Sequence, residues 1–149
     1  MEKAKTLILL ALMLVFCQAA PVDHHGGSDG QCPLTVKILN ALKGEPAGNV
    51  ALKVFRQSTS GTWEKVASGS SDMAGEVHEL LTEQDFKAGI YRVEFDSKSY
   101  WKAEGQTSFH QVADVEFEAH AEGHQHYILA LLMSPFSYTS TAVVSKAHH

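Results

Sequence analysis

Apolar and polar residues alternate with a period of two along most of this chain, and that alternation decides what it can fold into. In Leu34-Thr35-Val36-Lys37-Ile38-Leu39 an extended backbone puts Leu34, Val36 and Ile38 on one face and Thr35, Lys37 and Leu39 on the other. Segments 50–55, 63–68, 76–80, 90–95, 112–118, 126–133 and 138–145 also read as strands. Turn residues at 44–48, 58–61 and Ser134-Pro135-Phe136 separate several of them. Short strands with one apolar face each are satisfied by two sheets packed face to face. The prediction is an all-β, two-sheet β-sandwich of about eight strands.

Helix signals occur twice. Residues 82–88 begin with a capping residue and an acidic first turn and stop at Gly89. Residues 96–104 have Asp96 or Ser97 as cap, Lys102 in the last turn and Gly105 as a stop. Both are too short to be helical unless packed on something larger, so at most one short helix is expected.

The N-terminal segment lies outside this pattern. Lys3 and Lys5 precede a ten-residue apolar run, 7–16, and the small residues Cys17, Ala19 and Ala20 follow. This is the layout of a secretory signal peptide, and the run is far shorter than the roughly 20 residues needed to cross a bilayer. The domain reading is a signal peptide at 1–19 (cleavage after Ala19 or Ala20), a flexible arm at 20–31, the sandwich at 32–145 and a tail at 146–149. The chain is therefore expected to be secreted and extracellular, with no membrane association. Cleavage removes Cys17 and leaves Cys32 as the only thiol, so no internal disulfide is expected.

Composition excludes several classes. An apolar share of 44% against 19% charged residues is that of a packed domain, not of a disordered chain. A net charge of −5 argues against a general nucleic-acid binder, which needs a basic face. The nine His invite a metal or catalytic reading, but their positions do not sustain it. His24, His25, His148 and His149 fall in the arm and tail, and His120, His124 and His126 in a Gly-containing turn. The spacing His124-x-His126 suits a two-ligand site, yet no third ligand is fixed nearby, and a solvated loop is the better reading. His78 and His110 read as core or interface residues. No Gly-x-Ser-x-Gly, phosphate-cradling Gly loop, His-Glu-x-x-His or EF-hand pattern is present, so no catalytic residue, metal ligand or cofactor is assigned.

The second face of the strands is more informative. The first strand presents Thr35, Lys37 and Leu39 there, and the last two present Ile128, Ala130 and Leu132, and Thr139, Thr141 and Val143. A solvated sheet face normally carries Lys, Glu and Arg. An apolar and hydroxylated face on adjacent strands implies a cover, either another subunit or a ligand.

Long strings in the chain resemble the transthyretin family. They are Cys32-Pro33-Leu34-Thr35-Val36-Lys37-Ile38-Leu39, Gly75-Glu76-Val77-His78, Lys98-Ser99-Tyr100-Trp101-Lys102-Ala103, and Leu132-Met133-Ser134-Pro135-Phe136-Ser137-Tyr138 with Thr141-Ala142-Val143-Val144. The likeness runs from Cys32 to about Ser145. It implies a prealbumin-like sandwich of two four-stranded sheets, a helix at 96–104 and mostly turn at 82–88. It also implies a homotetramer. Two subunits pair through their sixth and eighth strands, and two such dimers enclose a channel that carries thyroid hormones, thyroxine and triiodothyronine.

The resemblance places Lys37 and Glu76 at the channel mouth, where their charges suit the carboxylate and ammonium of an iodothyronine. It assigns Leu39, Ala130, Leu131, Leu132 and Val143 to ring and iodine pockets, and Thr139 and Thr141 to the phenolic end. Ile128 and Thr139 are more apolar or bulkier than the residues common there. The family's protein partner, retinol-binding protein, docks partly on the loop after the helix, where this chain has Glu104 and Gln106 in place of apolar residues. The scaffold also serves an enzyme, 5-hydroxyisourate hydrolase, which needs His, Arg and His where this chain has Lys37, Glu76 and Ile128. Lys is a poor general base near neutral pH, because its ordinary pKa is about 10.4. The expectation is a carrier and not an enzyme.

Overall fold

The computed structural model describes residues 32–120 and 125–146. The expected signal peptide and arm lie outside them, as do His24, His25, His124, His148 and His149. Nine strands and one helix follow in the order β1 (Leu34–Asn40), β2 (Glu45–Pro46), β3 (Ala51–Gln57), β4 (Trp63–Ser70), β5 (Glu76–Val77), β6 (Gly89–Phe95), α1 (Ser97–Ala103), β7 (Ala113–Ala119), β8 (Gln125–Ser134) and β9 (Ser137–Lys146).

They form the two sheets expected. One has the order β2-β1-β8-β9, with β5 also paired to β1, and the other has the order β4-β3-β6-β7. The apolar alternation meets between them. Leu34, Val36 and Ile38 of β1 and Leu129, Leu131 and Met133 of β8 face Leu52 and Val54 of β3 and Tyr91, Val93 and Phe95 of β6, all buried. At roughly 1.5–3 kcal/mol per fully buried large apolar side chain, this stripe is the main source of stability.

The differences from expectation are local. The first sheet has five strands and not four, because Glu45–Pro46 within the expected turn pairs with Leu39 and Asn40. The strand read at 76–80 ends at Val77, since Glu79 has a φ of 57° and cannot continue an extended backbone. Residues 82–88 form turn and irregular backbone, as the resemblance implies, with Thr82 Oγ1 accepting from the Asp85 N–H. The strand expected from 50 starts at Ala51, because the Val50 N–H donates to the Ser71 hydroxyl. His126 lies in β8, as the strand reading of 126–133 expects and the turn reading does not, and β9 runs on through Lys146, beyond the expected sandwich boundary at 145.

The helix forms where its signals predicted. Asp96 accepts from the Ser99 N–H as N-cap, Lys102 sits in the last turn, and Gly105 follows at a φ of 71°. Trp101 and Tyr100 are buried against the core. The Asn40 side chain, itself buried, donates to the Tyr100 hydroxyl at 2.9 Å and ties the helix to the end of β1. No helix among the described residues is long and apolar enough to cross a membrane.

Candidate functional site

Register assembles the site. β1 pairs in parallel with β8 and β8 pairs antiparallel with β9, so residues distant in sequence fall into cross-strand rows on one face. The first row is Thr35–Ile128–Val143 and the second is Lys37–Ala130–Thr141, extended by Glu76 opposite Lys37 on β5. The third is Leu39–Leu132–Thr139. Eight of the nine residues assigned to the site from the sequence lie on these rows.

Their face points away from the core. Leu39 is 40% exposed, Leu132 37% and Val143 58%, while Lys37, Thr139 and Thr141 are also exposed. Leu131 does not join them. It is fully buried between the sheets, because a period of two cannot put three consecutive residues of β8 on one face.

The charged end of the face is a three-member cluster. Lys37 Nζ lies 2.9 Å from Glu76 Oε1, and His78 Nε2 lies 2.8 Å from Glu76 Oε2. The hydrogen bond from Lys37 holds the Glu76 carboxyl below the usual carboxylate range, against the opposing effect of its partial burial, and His78 acts in the same direction. Sequence reading missed His78 as a site residue. The available signal was the spacing Glu76-x-His78, which returns two side chains to one side of an extended segment.

The other histidines among the described residues are elsewhere. His110 packs edge-on against Tyr138 and Phe109, and His120 lies near Glu118. Among the described residues no group of three or more His, Cys, Asp or Glu is placed to hold a metal ion.

The edges of the sandwich bear on how this face is covered. β9 forms one edge of the first sheet and β7 one edge of the second. Residues 139–146 of β9 are exposed on both faces and carry no charge before Lys146. A long apolar edge strand invites pairing with another chain.

Comparison with known proteins agrees with this architecture. Residues 34–141 match the family model for Transthyretin, the HIUase/Transthyretin family. The structure of sea bream transthyretin in complex with thyroxine superposes with a TM-score of 0.75 at 62% identity, over 79% of this chain and 100% of that one. The structure of transthyretin from Sparus aurata gives a TM-score of 0.75 at 63% identity, over 77% of this chain and 99% of that one. With the family model spanning the sandwich from β1 into β9 and both sheets matched in three dimensions, the chain belongs to the HIUase/Transthyretin family.

Proposed function

We propose that the protein is a secreted, extracellular carrier of thyroid hormones, thyroxine and triiodothyronine, acting as a homotetramer. The observation that carries this reading is the make-up of the three rows: an ion pair at one end, and beyond it apolar side chains with the Thr139 and Thr141 hydroxyls on β9. They occur in a chain 62% identical to a transthyretin whose structure holds thyroxine. The order of groups matches an iodothyronine, which has a zwitterionic amino-acid end and an apolar, iodinated, phenolic body. Lys37 and Glu76 would take the amino-acid end, Leu39, Ala130, Leu132 and Val143 the rings and iodines, and Thr139 and Thr141 the phenol.

One open face cannot enclose a ligand, because small-molecule sites bury about 70–90% of their occupant. The same face of a second subunit would supply the opposite wall. Pairing of β7 and β9 with their copies in a neighbouring subunit would cap these edges and complete a dimer of dimers. Around the loop after α1, Glu104 is ion-paired with Lys43. The surface offered to retinol-binding protein is thus charged where the family's is apolar, and direct binding between the two purified proteins tests that partnership.

The enzyme of the family would need an acid–base set, and Lys37, Glu76 and Ile128 do not supply one. The purified protein is titrated with both hormones, its assembly is measured by sedimentation equilibrium, and hydroxyisourate turnover is assayed in parallel. Binding of either hormone below the micromolar range, by a tetramer without turnover, is expected. Absence of hormone binding, or hydrolysis above the buffer rate, overturns the proposal.

A further inference from the structure

The Lys37–Glu76 pair has a third member, the imidazole of His78. We propose that His78 is a positioning residue: through Glu76 it sets how freely the Lys37 ammonium meets an anionic ligand, so that a carboxylate binds more tightly when His78 is protonated. The inference rests on the carrier reading above and concerns the regulation of the same site.

Glu76 divides its two oxygens between two partners, Oε1 to Lys37 and Oε2 to His78. With His78 neutral, Lys37 and Glu76 cancel and the carboxylate competes with a ligand for the ammonium. With His78 protonated, the cluster carries one net positive charge, and Glu76 is shared between two cations. Histidine is the side chain whose ordinary titration falls between pH 5 and 8. Both outer members are open to solvent, Lys37 at 46% and His78 at 43% side-chain exposure, so a proton can reach one and a ligand the other.

No other charge on the facing strands overrides this. The groups that face the cluster are Lys37 of β1 and Glu76 of β5, while Ala130 and Ile128 of β8 and Thr141 and Val143 of β9 are uncharged. On β2 the carboxylate of Glu45 is engaged by Lys43. The depressed titration of Glu76, to which Lys37 and then His78 contribute, agrees with a three-way cluster.

The test compares the full-length wild type with His78→Gln and His78→Lys from pH 5.5 to 8.5. The probes are thyroxine and its carboxylate analogue without the amino group. Ionisations of the ligand and of the other histidines are common to all three proteins and cancel in the ratio of dissociation constants. For the amine-free analogue, His78→Gln should match wild type at pH 8.5 and bind about threefold more weakly at pH 5.5, the effect of one charge at this distance in a solvated site. His78→Lys should bind about threefold more tightly than wild type at pH 8.5. Thyroxine, whose own ammonium opposes the added charge, should respond less. A ratio that stays flat with pH for the amine-free analogue overturns the proposal. A readout without hormone separates this inference from the carrier reading: the 13C titration of the Glu76 carboxyl should move up in His78→Ala. An unmoved Glu76 overturns the role of His78 even if hormones bind. A moved Glu76 with no hormone bound overturns the carrier reading instead, and supports the cluster.

Discussion

Gly75 and Ile38 approach more closely than a side chain at position 75 would allow. The Ile38 N–H donates to the Gly75 carbonyl at 2.7 Å, Gly75 has a φ of 75°, and a Cβ built there would collide with the Ile38 carbonyl oxygen. This contact lets β5 lie against β1 and sets the next residue, Glu76, opposite Lys37. The geometry of the mouth therefore depends on a residue that contributes no side chain to it.

Gly75→Ala should consequently cost more than its single methyl suggests. Strain at positive φ and the backbone clash together predict a loss of about 1–3 kcal/mol. Urea denaturation measures it, and hormone affinity should fall with it because Glu76 is displaced. An unchanged midpoint would mean that β5 can detach from β1 without penalty.

Lys37→Ala should weaken ligands that carry the amino-acid carboxylate about threefold to tenfold, in line with a partly exposed charged contact. Analogues lacking that group should lose little. Isothermal titration of the matched pair gives the comparison, and equal losses would reverse the proposed orientation of the ligand.

The depressed titration of Glu76 also makes a prediction about acid stability. A carboxyl whose folded pKa lies below its unfolded one contributes stability above the unfolded value, near 4.3 for an ordinary Glu, and loses it as pH falls through the folded value. Wild type should exceed Glu76→Gln by at most about 1 kcal/mol at pH 7, and the difference should vanish in strong acid. Chemical denaturation at several pH values reads this directly.

Tyr100→Phe removes the acceptor of the buried Asn40 amide. Leaving a buried donor unpartnered costs about 1–3 kcal/mol, so the variant should be destabilised by that amount although its shape is nearly unchanged. Asn40 also accepts from the Lys43 N–H through its side-chain oxygen. Losing the Tyr100 bond should therefore also loosen the turn after β1, seen as faster amide exchange at Lys43.

Thr141→Arg places a charge at the β9 end of the second row, on a side chain that is exposed within one subunit. A charge left unpaired in an apolar contact costs several kcal/mol. On the proposed assembly, sedimentation should show smaller species than the wild type gives, with hormone binding lost and the circular dichroism of the sandwich retained. A variant that remains tetrameric would place the contact between dimers on another face.

Much of this was legible in the residues. Alternation gave the sheet-forming segments and assigned Leu34, Val36 and Ile38 to the core, because a strand exposes one fact per residue, its face. Asp96, Lys102 and Gly105 marked the helix, since caps act within a few residues. Failures came where long-range contact overrode local preference. Glu45–Pro46 became a strand because β1 was beside it. Leu131, assigned to the site through resemblance, obeyed its strand periodicity and went to the core.

By itself, the sequence determined which side chains share a face, because period-two geometry is a local property of the backbone. It also determined that the second face of β1, β8 and β9 carries Lys37 as its single charge among apolar and hydroxyl side chains. Tertiary structure decided the register that sets Lys37 beside Ala130 and Thr141, Leu39 beside Leu132 and Thr139, and Glu76 between Lys37 and His78. Those neighbours come from strands far apart in the chain. Their alignment depends on how both sheets close over a single core, which no local pattern encodes.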